Sequence, residues 1–208
     1  MPLISTKDIL NILLYKKVIF VTTIHTYIGI ENYYIYPYGG RKMTKIAIIT
    51  GAGSGLGQAT AIRLAEEGVA IAVVDMNEKG GNETVEMIQK LGGEAFFIKA
   101  DVSKMEDVKN YVDVTVEKYG KIDYFFNNAG ISGSGAYFLN SSVEEINQIV
   151  GINLLGALYG VRFVAEVMLK NGGGSIVNTA SSAGVIGQAS VVTYSATKHG
   201  IIGLTKSM

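Results

Sequence analysis

Tyr194 and Lys198 stand four residues apart in a stretch of helical pattern, which puts both side chains on one face, a turn apart. A free tyrosine, with a pKa of about 10, is a poor base near neutral pH. A neighbouring ammonium favours the phenolate, so the pair can move a proton where the tyrosine alone could not. Far upstream, Thr50-Gly51-Ala52-Gly53-Ser54-Gly55-Leu56-Gly57 follows the apolar run 46–49 and precedes the helical pattern 59–67. Glycines let such a strand-to-helix turn approach a pyrophosphate, while the first N–H groups and the positive dipole end of the helix face the anion. A dinucleotide is the first ligand to consider.

The spacing refines that reading. The pattern G-x-G-x-x-G fails, because counting from Gly51 puts Leu56 in the last position and counting from Gly53 puts Gln58 there. What fits is T-G-x-x-x-G-x-G, with Thr50, Gly51, Gly55 and Gly57. The second apolar run, 69–74, ends in Asp75, eighteen residues past Gly57, where such folds place the acid that accepts hydrogen bonds from the adenosine ribose. This favours NAD. An NADP site needs a cation for the 2′-phosphate, and neither the glycine loop nor Met76 and Asn77 supplies one. The competing reading is that Asp75 caps the next helix.

Composition limits the alternatives. A chain of 208 residues suits one domain with a sizeable core. Without cysteine it can form neither a disulfide framework nor a thiolate metal site, and His25 and His199 are too few for a histidine-rich metal centre, so no metal is expected. Eighteen basic and eighteen acidic residues balance, which argues against a nucleic-acid partner. The chain is not uniform, however. Residues 1–42 hold six of the twelve tyrosines, both prolines, five basic residues and two acidic ones, whereas 43–208 contain no proline and carry 13 basic and 16 acidic residues. The apolar stretch 18–30 is too short for a membrane span of about 20 residues, and no clean signal-peptide core precedes a small-residue cleavage site. No membrane partner and a cytoplasmic location are expected. Residues 1–42 read as an extension of unassigned role upstream of a domain beginning at Met43, and their removal is expected to cost little.

From Met43 onward, apolar runs at 46–49, 70–74, 95–98, 122–126 and 175–178 alternate with longer helical patterns such as Val108, Val112, Val116 and Tyr119. Alternation of this kind gives a doubly wound parallel sheet with helices on both faces, a Rossmann-like α/β/α sandwich of about five strands. Ligands in such sheets bind beyond the carboxyl ends of the strands, where the suggestive residues lie.

Residues 43–208 resemble the short-chain dehydrogenase/reductase family through several independent motifs. The glycine loop is one, with Gly51, Ser54, Gly55, Leu56 and Gly57 on the cofactor. Asp101-Val102 after the third strand resembles the adenine-contacting pair, and Asn127-Asn128-Ala129-Gly130 after the fourth matches the N-N-A-G signature, implying cofactor contacts from Asn128, Ala129 and Gly130. Asn153, Ser181, Tyr194 and Lys198 fall where the family keeps its catalytic tetrad. A Tyr-x-x-x-Lys pair is weak by itself, and Tyr38 with Lys42 repeats it. Tyr194 with Lys198 differs by its company: Ser181 lies thirteen residues before Tyr194, and Asn153 twenty-eight before Ser181. Ser181 rather than Ser182 is the family's serine because it precedes Gly184 by three.

The resemblance implies an oxidoreductase that moves a hydride between NAD and the CH–OH or C=O group of a small uncharged alcohol or ketone. Tyr194 would take the proton, Lys198 would also bond the nicotinamide ribose, Ser181 would hold the substrate oxygen, and Asn153 would bind a water linking Lys198 to solvent. The remaining wall, 131–138 and 183–193, reads as small and apolar, in keeping with an uncharged substrate. The family normally continues beyond the helix that begins near Tyr194, so a chain ending at Met208 is expected to be a C-terminally incomplete domain with its last strand at an open sheet edge. Family members commonly assemble through the helices after the fourth and fifth strands, which implies a homo-oligomer for the full-length family but is not expected of this incomplete chain. The alternatives to an active dehydrogenase are a fragment that only binds dinucleotide and a silent interaction module on the same fold.

Overall fold

The computed structural model describes residues 21–25, 45–135 and 137–208. Tyr38 and Lys42 lie outside the described residues. The elements run β1 (Val21–His25), β2 (Lys45–Thr50), α1 (Gly55–Glu66), β3 (Val69–Asp75), α2 (Glu78–Lys90), β4 (Ala95–Lys99), α3 (Met105–Tyr119), β5 (Tyr124–Asn127), α4 (Val143–Val150), a π turn (Gly151–Leu155), α5 (Gly156–Lys170), β6 (Ser175–Thr179) and α6 (Val192–Lys206).

Strands β2 to β6 are the five parallel strands expected from the apolar runs, in the order β6-β5-β2-β3-β4. Their near-continuous apolar character follows from burial on both faces. Ile48, Val74, Ile98 and Phe125 point to α3 and α5, where Tyr111, Val112, Val161, Val164 and Met168 meet them. Ala47, Ile49, Ile71, Val73 and Phe126 point to α1 and α2, against Ala61, Leu64 and Ile88. Helix α6 packs Ile201 against Ala157 and Ala180, beside α5. The chain winds outward from β2 in both directions, so β2 and β5 are neighbours whose crossovers depart to opposite sides. That reversal opens a crevice beyond their carboxyl ends.

The rod 143–170, formed by α4, the π turn and α5, is long and apolar enough by length and composition to cross a membrane. In the fold its Val161, Val164 and Met168 are buried against the sheet.

The open edge expected at the last strand is not observed. β1 pairs antiparallel with β6 along its whole length, from Val21 with Thr179 to His25 with Ser175. Sequence reading assigned residues 1–42 no structural part because the edge that accepts β1 exists only once β6 has joined the sheet. The paired segment satisfies N–H and C=O groups that would otherwise invite pairing with another chain. Deleting residues 1–42 should therefore lower the melting temperature and produce concentration-dependent association, each lost ladder bond weighing about 1 kcal/mol net. Thermal melts and light scattering on both chains check this; an unchanged melting temperature and a monomeric deletion would mean that β1 contributes nothing.

Candidate active site

Thr50 ends β2, and its hydroxyl accepts hydrogen bonds from the N–H groups of Asn128 (2.9 Å) and Ala129 (3.1 Å), which locks the glycine turn to the end of β5. The turn itself needs glycine at two places. Gly51 has φ +65 and lies against Ala129, and a Cβ on Gly57 would sit 2.1 Å from the Gly51 carbonyl oxygen. Helix α1 starts after Ser54, whose side chain makes no capping bond, so its first N–H groups are left for an external anion.

Asp75 does not cap the following helix. Asn77 does, accepting from the Gly80 N–H at 3.2 Å. The Asp75 carboxylate instead accepts from the N–H groups of Gly53 and Asn77, each at 2.8 Å, and so ties the end of β3 to the glycine turn. A Cβ on Gly53 would lie 2.9 Å from Asp75 Oδ2. Sequence reading treated Gly53 as a free position because its constraint comes from a residue twenty-two positions away.

These residues line a cleft of about 400 Å³. Gly51, Ser54, Gly55, Leu56, Asp75, Asp101, Val102, Asn128, Ala129 and Gly130 all border it, with Met76, Ile131 and Ile152. Gly57 does not; it is buried behind the turn. Asp101 organises the entry to α3, accepting from the Ser103 N–H (3.0 Å) and hydroxyl (2.7 Å). Asn128 donates to the Thr50 carbonyl at 3.1 Å and accepts from the Thr179 hydroxyl at 3.1 Å, joining β2, β5 and β6.

Beyond the ends of β5 and β6 the four tetrad candidates gather. Lys198, buried on α6, donates from Nζ to the Thr179 carbonyl at 2.6 Å and lies 5.5 Å from the Tyr194 ring centroid. Burial lowers its pKa to about 8. Ser181 precedes a 3-10 turn at Ser182–Gly184 and accepts from the Ala183 N–H at 3.2 Å. Gly184 lets this turn sit on α6, since a Cβ there would lie 2.6 Å from the Lys198 carbonyl oxygen. Asn153 lies in the π turn, a form of helix that recurs at functional sites. Its amide accepts from the Ile131 N–H and donates to the Ile131 carbonyl, both at 2.8 Å, with a longer bond to the Thr197 hydroxyl at 3.4 Å. Its side chain is thus engaged with Ile131 and Thr197.

A second, shallower cleft lies beside Tyr194, bordered by Ser132, Ser134, Ser141, Ser190 and Thr193 with Glu145, Phe138 and Ile149. It is more polar than the stretches 131–138 and 183–193 implied, because Ser141 and Glu145 enter from outside them and Ser132, Ser134, Ser190 and Thr193 border it. Sequence reading also missed a buried amide chain beneath the site: Asn127 donates to the Ala157 carbonyl and to Asn178, and Asn178 donates to Thr205.

Residues 45–208 match the sequence profile described as short chain dehydrogenase. The chain belongs to this family. Among curated relatives, the cyclohexanol dehydrogenase of Acinetobacter sp. (strain SE19) is 42% identical over 163 residues, covering 78% of this chain and 65% of that protein. An NAD+-bound xylitol dehydrogenase superposes with a TM-score of 0.76 at 39% identity, covering 80% of this chain and 65% of the other. An actinorhodin polyketide ketoreductase variant with NADPH gives 0.75 at 36% identity, with 79% and 63% covered. This short-chain dehydrogenase chain therefore spans just under two thirds of the length of the relatives it matches.

The buried Lys198 has a direct consequence. Its folded pKa of about 8 lies below the ordinary 10.5, so the folded state holds its proton less well than the unfolded state between those values. The buried amine opposes folding below pH 8, and that cost relaxes as the pH rises toward 10.5. NMR of lysine-labelled protein should show one amine titrating near pH 8 that is missing in Lys198→Met. A Lys198 signal titrating with the exposed lysines would contradict the burial argument.

Proposed function

We propose that this chain forms the cofactor-binding and proton-transfer part of an NAD-dependent oxidoreductase that interconverts a small uncharged alcohol and its ketone. The observation that carries the reading is the approach of Lys198 Nζ to within 5.5 Å of the Tyr194 ring centroid beyond β6, in a chain whose glycine turn lines a separate, larger cleft. Residues 43–208 would be the working domain, with 1–42 an extension that lends a strand.

The cleft fits a dinucleotide. It offers the uncapped start of α1 to a pyrophosphate, and Gly55, at φ +54, has open space where a Cβ would stand. Gly51, Ser54, Gly55 and Leu56 would hold the phosphates, with Gly57 supporting the turn. Asp75, Asp101 and Val102 would hold the adenosine, and Asn128, Ala129, Gly130, Tyr194 and Lys198 the nicotinamide half. When bound, the nicotinamide supplies the hydride acceptor or donor. The chain's own residues handle the proton. Tyr194 takes it from the substrate hydroxyl or returns it to the carbonyl oxygen, with the Lys198 ammonium, protonated at neutral pH, 5.5 Å from its ring centroid. Ser181 would hold the substrate oxygen, and Asn153 would keep Ile131 and the π turn in place beside it.

NAD is favoured over NADP because the cleft lining contains no lysine or arginine among the described residues and carries Asp75 at the end of β3. A 2′-phosphate there would meet a carboxylate. A small alcohol is favoured by the names of the relatives, which concern cyclohexanol and xylitol. A cytoplasmic location completes the proposal: the apolar stretch 18–30 is short for a membrane span of about 20 residues, and the balance of 18 basic and 18 acidic residues argues against nucleic acid as a partner.

Two measurements test it. With cyclohexanol and NAD, Tyr194→Phe should lower kcat by about 10²- to 10⁴-fold while NADH binding stays near that of the unaltered chain. A variant retaining most of its rate would remove Tyr194 from the reaction. In fluorescence titrations NADH should bind more tightly than NADPH, and Asp75→Ala should narrow the difference by about tenfold or more, in line with a lost bond to a charged group. Equal or tighter NADPH binding by the unaltered chain would overturn the cofactor assignment.

A further inference from the structure

The loop that follows Gly130 forms the wall of the shallow cleft opposite Tyr194, through Ser132, Gly133, Ser134 and Gly135. It is held at two points. Ile131 exchanges both of its main-chain groups with Asn153, at 2.8 Å each. Three residues on, the Ser134 N–H donates to Glu145 Oε1 at 2.6 Å, and the Ser134 hydroxyl bonds the same carboxylate. These bonds hold Glu145 below the usual carboxylate range, so it is ionised at neutral pH.

Both anchors come from one rod. Glu145 and Asn153 are eight residues apart in 143–170, about two turns, and reach toward the same loop. Between the anchors Gly133, at φ +81, lies flat on the rod: a Cβ there would sit 2.7 Å from Ile149 Cδ1 and 3.2 Å from Glu145 Oε1. The local sequence would send Glu145 elsewhere. Ser142 caps α4 by accepting from the Glu145 N–H at 3.1 Å, and in a Ser-x-x-Glu capping box the glutamate reaches back to the main chain of the cap residue. Here its carboxylate crosses to Ser134 instead.

We propose that Glu145 is a positioning residue for the reaction: by holding Ser134, it fixes the substrate-facing wall opposite Tyr194, as Asn153 fixes the start of the same loop. This rests on Tyr194 being the group that moves the proton. Glu145 contacts the loop and not the cofactor cleft, so its loss should weaken alcohol binding and leave the cofactor unaffected.

The test uses the 208-residue chain with Glu145→Ala, Glu145→Asp and Glu145→Gln. Aspartate keeps the charge but is too short to reach Ser134; glutamine keeps the reach and an acceptor. Amide hydrogen exchange should show the Ser134 N–H opening about tenfold faster or more in the alanine and aspartate variants and near the original rate in the glutamine one. KM for cyclohexanol should rise by about tenfold in the first two, with KM for NAD unchanged, and glutamine should restore it. Unchanged Ser134 exchange in the alanine and aspartate variants would overturn the clamp. A parallel rise in KM for NAD would reduce Glu145 to a general stabiliser. Altered exchange with no turnover by any chain, the unaltered one included, would count against this chain's being an active dehydrogenase and leave the clamp standing.

Discussion

The hydroxyl of Thr50 accepts two main-chain N–H groups from the end of β5, and Asn128, which supplies one of them, returns a bond to the Thr50 carbonyl and accepts another from Thr179 on β6. This small lattice joins three strand ends at the place where the sheet reverses direction. Three of the segments that border the clefts leave from it. The glycine turn leaves from Thr50, the loop to Ile131 leaves from Asn128, and the Thr179 carbonyl receives the Lys198 ammonium. A polar lattice in a site shielded from water is stable only when each group has its partner, which makes these positions costly to alter singly. It also makes the distance between the phosphate-binding turn and the buried lysine a property of the sheet, and not of flexible loops.

The opposite side of the site is built differently. There the wall beside Tyr194 is a loop, and its shape comes from side chains on the rod 143–170. Asn153 projects from a π turn, where one extra residue per turn rotates its side chain out of helical register and toward Ile131. Glu145 takes the next contact point, and Ile149 fills the space between the two anchors. One face of a helix thus sets the wall of the cleft beside Tyr194, while the strand ends set the larger cleft at the glycine turn. A chain that varied the helix face could change the first without disturbing the second.

Charge is used sparingly at the centre. Lys198 is deeply buried and its ammonium donates to a main-chain carbonyl, so desolvation acts on it with no carboxylate among the described residues to offset it. The amine is pulled toward the range in which a proton can be exchanged near neutral pH. Asp75 and Asp101, at the other end of the cleft, spend their oxygens on neighbouring main-chain N–H groups, so both shape the backbone as well as presenting charge.

Much of this was legible in the sequence, where the cause was local. The glycine turn could be read because the positive φ of Gly51 and the contact of Gly57 with the Gly51 carbonyl act within a few residues, and the five parallel strands because burial on both faces demands continuous apolar runs. Tyr194 and Lys198 could be paired because four residues make one helical turn. The rest was decided by tertiary structure. Gly53 is constrained by Asp75, Asn127 by Asn178, Gly184 by Lys198 and Ser134 by Glu145, and none of these partners is near in sequence. The strand at Val21–His25 depends on an edge that another strand must first provide. The sequence by itself determined which segments become strands and helices and which residue types could bind phosphate or move a proton, because those follow from short-range sterics and periodicity. Which of them face one another, and which polar groups are satisfied across the sheet, only the folded chain decided, because hydrogen bonding and burial depend on distances that the order of residues does not contain.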